Sequence, residues 1–259
     1  MTRDELWVCH LGTIPYLDAV ALQEQVRERR QAEELPDTLL LLEHPPVYTH
    51  GRRSAAGELT LGAADCSRVH GIDVVDTDRG GRVTYHGPGQ LVGYPIMAAP
   101  DVIAHLRAIE SAIVAALDRE GIVAHSRAAE GPDYTGVWVE DRKIASIGVH
   151  VSRGVSTHGF AVNVDLDLAP FSWVVACGLP DVAMTSLARE LGVADLRHAD
   201  RDSAAVHGGM TPRMACFRKR IAHAFCQAHG RRQRLVSPRR LDLDAPLPGT
   251  PSRRVAVAA

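Results

Sequence analysis

Lysine is nearly absent from this chain: among 29 basic residues only Lys143 and Lys219 are not arginine. Arginine serves wherever a fixed positive charge suffices, whereas lysine offers a compact ammonium that can lose its proton. Arg142 directly precedes Lys143, so charge is already supplied there and the lysine points to proton chemistry. Paired cysteines are also lacking. The five cysteines (Cys9, Cys66, Cys177, Cys216, Cys226) are odd in number and contain no C-x-x-C. This pattern excludes a disulfide framework or thiolate zinc site and implies reduced thiols. No apolar run approaches the length of a membrane span; Leu39–Leu42 is typical. The amino terminus lacks the basic-then-apolar pattern of a secretory leader, so a cytoplasmic location is expected. Neither charge sign dominates, with 29 basic against 31 acidic residues, which gives no basis for a nucleic-acid partner.

What is present suits one sizeable core: 259 residues, 46% hydrophobic. Strands are expected at Leu6–Leu11, Thr38–Leu42, Ile72–Val75, Val83–Tyr85 and Leu91–Ile96, from β-branched or apolar runs bounded by turn residues. Pro15 opens a helix with Leu17, Val20 and Ala21 on its apolar face, and residues 49–70 read as a polar loop. Asp101 caps a helix carrying Ile103, Leu106, Ile109, Ile113 and Leu117, stopped by Gly121. Three strands follow, Val137–Glu140, Ile144–Val151 and Phe160–Val164, the first two joined by a hairpin at Asp141-Arg142. A short helix near Ser186–Leu191 and a last helix opening at Thr211-Pro212 complete the set. Without a regular βαβ repeat, the fold class is α+β with a mixed sheet. Residues 1–230 are read as a catalytic domain. Residues 231–259, rich in arginine and proline, are read as a basic mobile tail.

Four segments carry chemistry. Arg79-Gly80-Gly81-Arg82-Val83-Thr84-Tyr85-His86-Gly87-Pro88-Gly89-Gln90 is dense in glycines that let backbone approach a ligand. It is not a nucleotide phosphate loop, since no Gly-Lys-Ser/Thr follows and a strand, not a helix, comes next. In Gly136–His150, Lys143 precedes Ser146, Ile147 and Gly148 on one strand. On an ideal strand the lysine points away from Ser146, unless a bulge turns it inward. His158, before Gly159, Phe160 and Ala161, is a candidate orienting or proton-handling group. Cys177 follows an apolar run and precedes Gly178-Leu179-Pro180, where backbone amides can stabilise an oxyanion. Cys216 and Cys226 fall within a helix pattern and Cys9 in a strand, so Cys177 alone has the setting of a nucleophile.

The strings RGGRVTYHGPGQLVGYP, KIASIGV, HGFAVNV and ACGL followed by TSL, in order between about residues 44 and 192, resemble the octanoyl (lipoyl) protein transferases of lipoate biosynthesis. The resemblance implies the fold of biotin and lipoate ligases. It also implies transfer of an octanoyl or lipoyl group from acyl carrier protein to a lysine of lipoyl domains of 2-oxoacid dehydrogenases or of the glycine cleavage carrier protein. It places the nucleophile on Cys177 and a lysine that favours its thiolate on Lys143. Acyl-substrate contacts fall on Arg79 to His86, on Ser146 to Gly148 and on Gly159 to Ala161. No cofactor, metal or ATP is expected, and the family expectation is a monomer. Phe160 and Ala176 depart from the pattern, standing where an aliphatic residue and proline are expected. An ATP-dependent ligase on the same fold and an inactive acyl-protein-binding module are the alternatives.

Overall fold

A computed structural model of the chain describes residues 4–60, 62–174, 182–193 and 210–241. In chain order its elements are β1 (Glu5–Thr13), α1 (Tyr16–Gln31), β2 (Thr38–Glu43), β3 (Val47–His50), α2 (Ala63–His70), β4 (Asp73–Asp76), β5 (Thr84–His86) and β6 (Gln90–Ile96). There follow α3 (Val102–Asp118), β7 (His125–Ser126), β8 (Gly136–Val139), β9 (Arg142–Ser152), β10 (Val155–Asn163), α4 (Leu187–Glu190), α5 (Pro212–Ala228) and β11 (Arg232–Val236). Among the described residues the main sheet has the order β11-β1-β2-β6-β10-β9-β8-β7, and a second, small sheet runs β4-β3-β5. β1 pairs in parallel with both β2 and β11, while the other pairs of the main sheet are antiparallel. The sheet is therefore mixed, as the irregular alternation of elements implied.

The run TLLLLE shows why the centre of the sheet is continuous in sequence. Successive side chains alternate faces, so Leu39 and Leu41 join the core beneath α3 and α5. Leu40 and Leu42 join the core under α1. A strand covered on both sides needs no polar face. α3 begins as expected, with Asp101 Oδ1 accepting from Ala104 N at 3.0 Å. Thr211 caps α5 in the same way, accepting from Met214 N at 3.1 Å. Ile103, expected on the buried face of α3, is 62% exposed.

Four further expectations change. α1 buries Tyr16, Ala19, Leu22, Gln23 and Val26, while Leu17 is exposed. The helix starts at Tyr16 with Pro15 as its cap, and its inner face includes a polar residue that hydrophobic spacing passes over: Gln23 Oε1 accepts from His158 N at 2.6 Å. Residues 49–70 are not one loop, because β3 and α2 occupy its ends. The hairpin between β8 and β9 turns at Glu140-Asp141, with Glu140 at φ 51°, not at Asp141-Arg142. Finally, 231–241 is not part of a mobile tail. β11 adds to the edge of the sheet through Glu5↔Arg232 to Cys9↔Val236, and Val236 and Leu241 enter the core. Each such buried side chain contributes about 1.5–3 kcal/mol, enough to hold a short edge strand whose other side chains are exposed. Residues 242–259 lie outside the described residues. Among the described residues no helix is long and apolar enough to cross a membrane.

Candidate active site

A cavity of about 240 Å³ opens among β5, β6, β9, β10, the amino-terminal turns of α3 and the glycine-rich turn before β5. Its wall contains Lys143, Ser146, Ile147 and Gly148 from β9, and His158, Gly159, Phe160 and Ala161 from β10. Arg79, Gly80, Gly81, Arg82, Val83, Thr84 and His86 line it from the turn and β5. Of the expected site residues within the described chain, only Tyr85 is not brought there. On a strand its side chain faces opposite to Thr84 and His86, and it packs in the small sheet's core against Tyr48 and Phe171, at 5.4 and 5.6 Å between ring centroids. Cys177, with Gly178 and Ala176, lies outside the described residues.

Lys143 reaches the cavity through a β-bulge. The register of β8 on β9 runs Gly136↔Ser146, Val137↔Ala145, then Trp138↔Lys143, so Ile144 is the extra residue. The bulge reverses the parity of the strand: Lys143 now shares a face with Ser146, opposite Trp138 and Gly136. Ile144 turns into the core. The lysine is 1% exposed, and its ammonium lies 5.2 Å from the centre of the Trp138 ring. The stem occupies the room left by Gly136, where a Cβ would lie 2.7 Å from Lys143 Cε and 3.3 Å from its Nζ, and would strike the Ala145 carbonyl. Gly136 also has φ 144°, a conformation other residues resist. Gly136→Ala is expected to destabilise the protein by about 2–4 kcal/mol, because backbone cannot yield. The measurement is thermal unfolding with an activity assay on the folded fraction; wild-type stability and turnover would contradict this packing.

The described segment that begins at Val182 engages the lysine directly. Lys143 N donates to Ala183 O at 2.9 Å and Thr185 N donates to Lys143 O at 3.0 Å, a parallel bridge to Met184. The four described cysteines are poor candidates for a nucleophile. Burial pushes the Cys9 thiol up to about 12 and that of Cys226 up to about 11, and it raises that of Cys66 as well. Cys216 is exposed on α5, among none of the cavity residues.

Apart from Lys143, Arg53, Arg79, Arg82 and Asp133, the lining is apolar or polar without charge. Val92, Ile147, Phe160 and Ala161 are aliphatic or aromatic wall. The Phe160 ring, at the position that departs from the expected aliphatic residue, covers Gly93, where any Cβ would meet it, and stacks 6.0 Å from Phe225. His44 donates from Nδ1 to Ile14 O and accepts at Nε2 from the Tyr94 hydroxyl, both at 2.7 Å. Burial pushes His44 down to about 4, and pushes His86 well below the usual histidine range with help from the charge of Arg79. Tyr94 is held well above the usual tyrosine range by burial. These groups are neutral near pH 7, as an apolar ligand requires.

Two expected contacts serve the protein as well as the cavity. Arg79 donates to Thr49 Oγ1 from Nη2 and Nε (2.8 and 3.1 Å) and to Gly80 O (3.0 Å), bracing the turn. Arg82 pairs with Glu58 at 2.7 Å. His158 sits opposite Val149, six residues along β9 from Lys143. At about 3.3 Å per residue that is roughly 20 Å, so His158 orients the far wall and not the lysine. Its Nε2 bonds Asp78 at 2.7 Å; burial lowers the imidazole's pKa, and the Asp78 bond offsets part of this. Tyr16, Tyr94, Val102, Leu106, Pro132 and Asp133 also line the cavity. They come from four separate segments, so no single motif in the sequence groups them. Among the described residues no cluster of His, Cys, Asp and Glu is arranged to hold a metal ion.

Residues 15–207 match the family of lipoyl protein ligase A/B catalytic domains. The chain is 47% identical over 191 residues to an octanoyltransferase of Acidothermus cellulolyticus, covering 71% of this chain and 81% of that one. It is 44% identical over 218 residues to an octanoyltransferase of Mycolicibacterium smegmatis, covering 80% and 90%. Among solved structures, the bi-partite lipoate protein ligase of Thermoplasma acidophilum shares the fold with a TM-score of 0.61 at 17% identity, covering 90% of this chain and 87% of that one. Lipoate-protein ligase A bound with ATP does so with a TM-score of 0.61 at 15% identity, covering 93% and 92%.

Proposed function

The chain belongs to the octanoyltransferase family, transferases that move an octanoyl group in protein lipoylation, and on that premise we propose that Cys177 carries the octanoyl group as a thioester between donor and acceptor while Lys143 moves the protons. The donor is the octanoyl thioester of acyl carrier protein, and the acceptor is the lysine of a lipoyl domain.

In the first half, the Cys177 thiolate, stabilised by the Lys143 ammonium, attacks the thioester carbonyl. The carbon–sulfur bond to the carrier breaks, and the departing carrier thiolate takes a proton from Lys143. In the second half, the acceptor amine attacks the acyl-enzyme and neutral Lys143 takes the proton that the new amide nitrogen sheds. The bond to Cys177 breaks and the thiolate–ammonium pair is restored. A thioester and an amine become a thiol and an amide, and no ATP enters the balance.

One observation carries this reading: the bulge at Ile144 turns a buried lysine onto the face of Ser146 and into an apolar cavity, against the segment Ala183–Thr185 that follows Cys177 in the chain. The fold is shared with an ATP-bound ligase, so nucleotide dependence is the discriminating assay. Octanoyl transfer to a lipoyl domain is expected from the carrier thioester without ATP, and none from free octanoate with ATP. Activity only in the second mixture would overturn the proposal.

A further inference from the structure

Three sequence segments that stand apart, Arg79 to Gln90, His158 to Val164 and the Thr185-Ser186-Leu187 turn, are joined inside the protein by one directional chain of hydrogen bonds. Arg79 Nη2 donates to Thr49 Oγ1, and the Thr49 hydroxyl lies 3.4 Å from His86 Nε2. The other ring nitrogen, Nδ1, lies 2.7 Å from Gln90 Oε1. An amide oxygen only accepts, so His86 carries its proton on Nδ1 and accepts from Thr49 at Nε2. Gln90 Nε2 then donates to Asn163 Oδ1 at 3.0 Å and to Tyr85 O at 3.1 Å. Asn163 Nδ2 donates to Thr185 O at 2.9 Å, and Thr185 N donates to Lys143 O at 3.0 Å.

The order of donors is unbroken from the cavity turn to the backbone of the lysine. Thr49, His86, Gln90, Asn163, Thr185 and Lys143 are all buried, so each bond excludes competition from water. Gln90 and Asn163 are direct partners in the β6–β10 ladder, which sets their side chains side by side. Residues 183–185 belong to no strand of the sheet and meet β9 at an isolated bridge between Met184 and Lys143. Their position against Lys143 therefore depends on anchors outside that bridge, and Asn163 supplies one of them from the last residue of β10.

We propose that Asn163 is a positioning residue for octanoyl transfer: through the Thr185 carbonyl it fixes the 183–185 segment against Lys143, holding at one spacing the lysine and the chain that follows Cys177. This rests on the reading of Cys177 and Lys143 given above. Asn163→Asp keeps the size and the acceptor for Gln90, but sets a carboxylate oxygen against the Thr185 carbonyl. Asn163→Ser removes the donor without adding charge.

The test is steady-state transfer from octanoyl carrier protein to a lipoyl domain, measured against pH for both variants, with thermal unfolding in parallel. For Asn163→Asp, kcat is expected to fall at least about tenfold, with the KM for the donor changed by less than about threefold. The pH–rate profile is expected to be displaced as well, because the spacing of the two reacting groups sets it. Asn163→Ser is expected to fall between the wild type and Asn163→Asp. Wild-type kcat and pH profile in folded Asn163→Asp would overturn the proposal. So would a loss that follows only the folded fraction, or failure of both variants to fold, since the network would then be structural alone. An inactive wild-type protein would instead overturn the function proposed for the site.

Discussion

Cys177→Ala is expected to lower octanoyl transfer roughly 10⁴-fold, because removing a nucleophile leaves only binding and the surrounding electrostatics to act. The physical case is partly one of exclusion. Cys9, Cys66 and Cys226 are buried thiols whose ionisation is disfavoured, and Cys216 is on the outer side of α5, away from the cavity. A thiol that is not a thiolate is a weak nucleophile, so none of these substitutes for the lost group. The same substitution at Cys216 is expected to leave turnover within about twofold, the ordinary range for an exposed site. Comparable losses at both positions would contradict the exclusion of Cys216, and substantial turnover without Cys177 would require a mechanism in which the donor thioester is attacked directly by the acceptor lysine.

Lys143→Arg is the second large effect, with an expected fall of about 10²–10⁴-fold, the range that proton transfer by a positioned group contributes. The substitution retains the charge and so separates two roles. If the lysine served only to stabilise a thiolate, arginine would preserve much of the rate; if it accepts the acceptor's proton, arginine cannot. Space makes the substitution harsher still. The lysine stem is enclosed by Gly136 and Trp138, and a planar guanidinium is wider than the ammonium it replaces. Single-turnover measurements distinguish these causes. A variant blocked only in deprotonating the acceptor still takes the octanoyl group from the carrier, whereas a misfitted guanidinium slows loading and transfer alike. Full activity of Lys143→Arg would remove the proton-transfer role.

How much of this was visible in the sequence depended on whether the cause was local. The rarity of lysine singled out Lys143, and glycine density singled out the turn from Arg79 to Gln90, because both are properties of residue type. Capping of α3 by Asp101 and of α5 by Thr211 was legible for the same reason. The direction in which Lys143 points was not legible. It depends on the extra residue Ile144, which is decided by pairing with β8 and leaves no mark on strand periodicity. Tyr85 misled because its motif neighbours Thr84 and His86 face the cavity, while strand alternation sends Tyr85 to the other side. β11 was hidden by its composition: Arg232, Gln233 and Arg234 read as a solvated tail, yet an edge strand needs only backbone pairing and one or two buried anchors. Gln23 and Asn163 escaped notice because hydrophobic patterning assigns no role to a buried amide. Their partners, His158 N and Thr185 O, become neighbours only when the sheet has formed.

The central claim, a covalent acyl group on Cys177, is tested most directly by intact and peptide mass spectrometry. The protein is mixed with octanoyl carrier protein in the absence of an acceptor, quenched in acid, and digested. The expected result is one octanoyl group per chain, located on the peptide containing Cys177, absent from Cys177→Ala protein and discharged when a lipoyl domain is added. An adduct on another residue, or efficient transfer to the lipoyl domain with no adduct at any time, would contradict it.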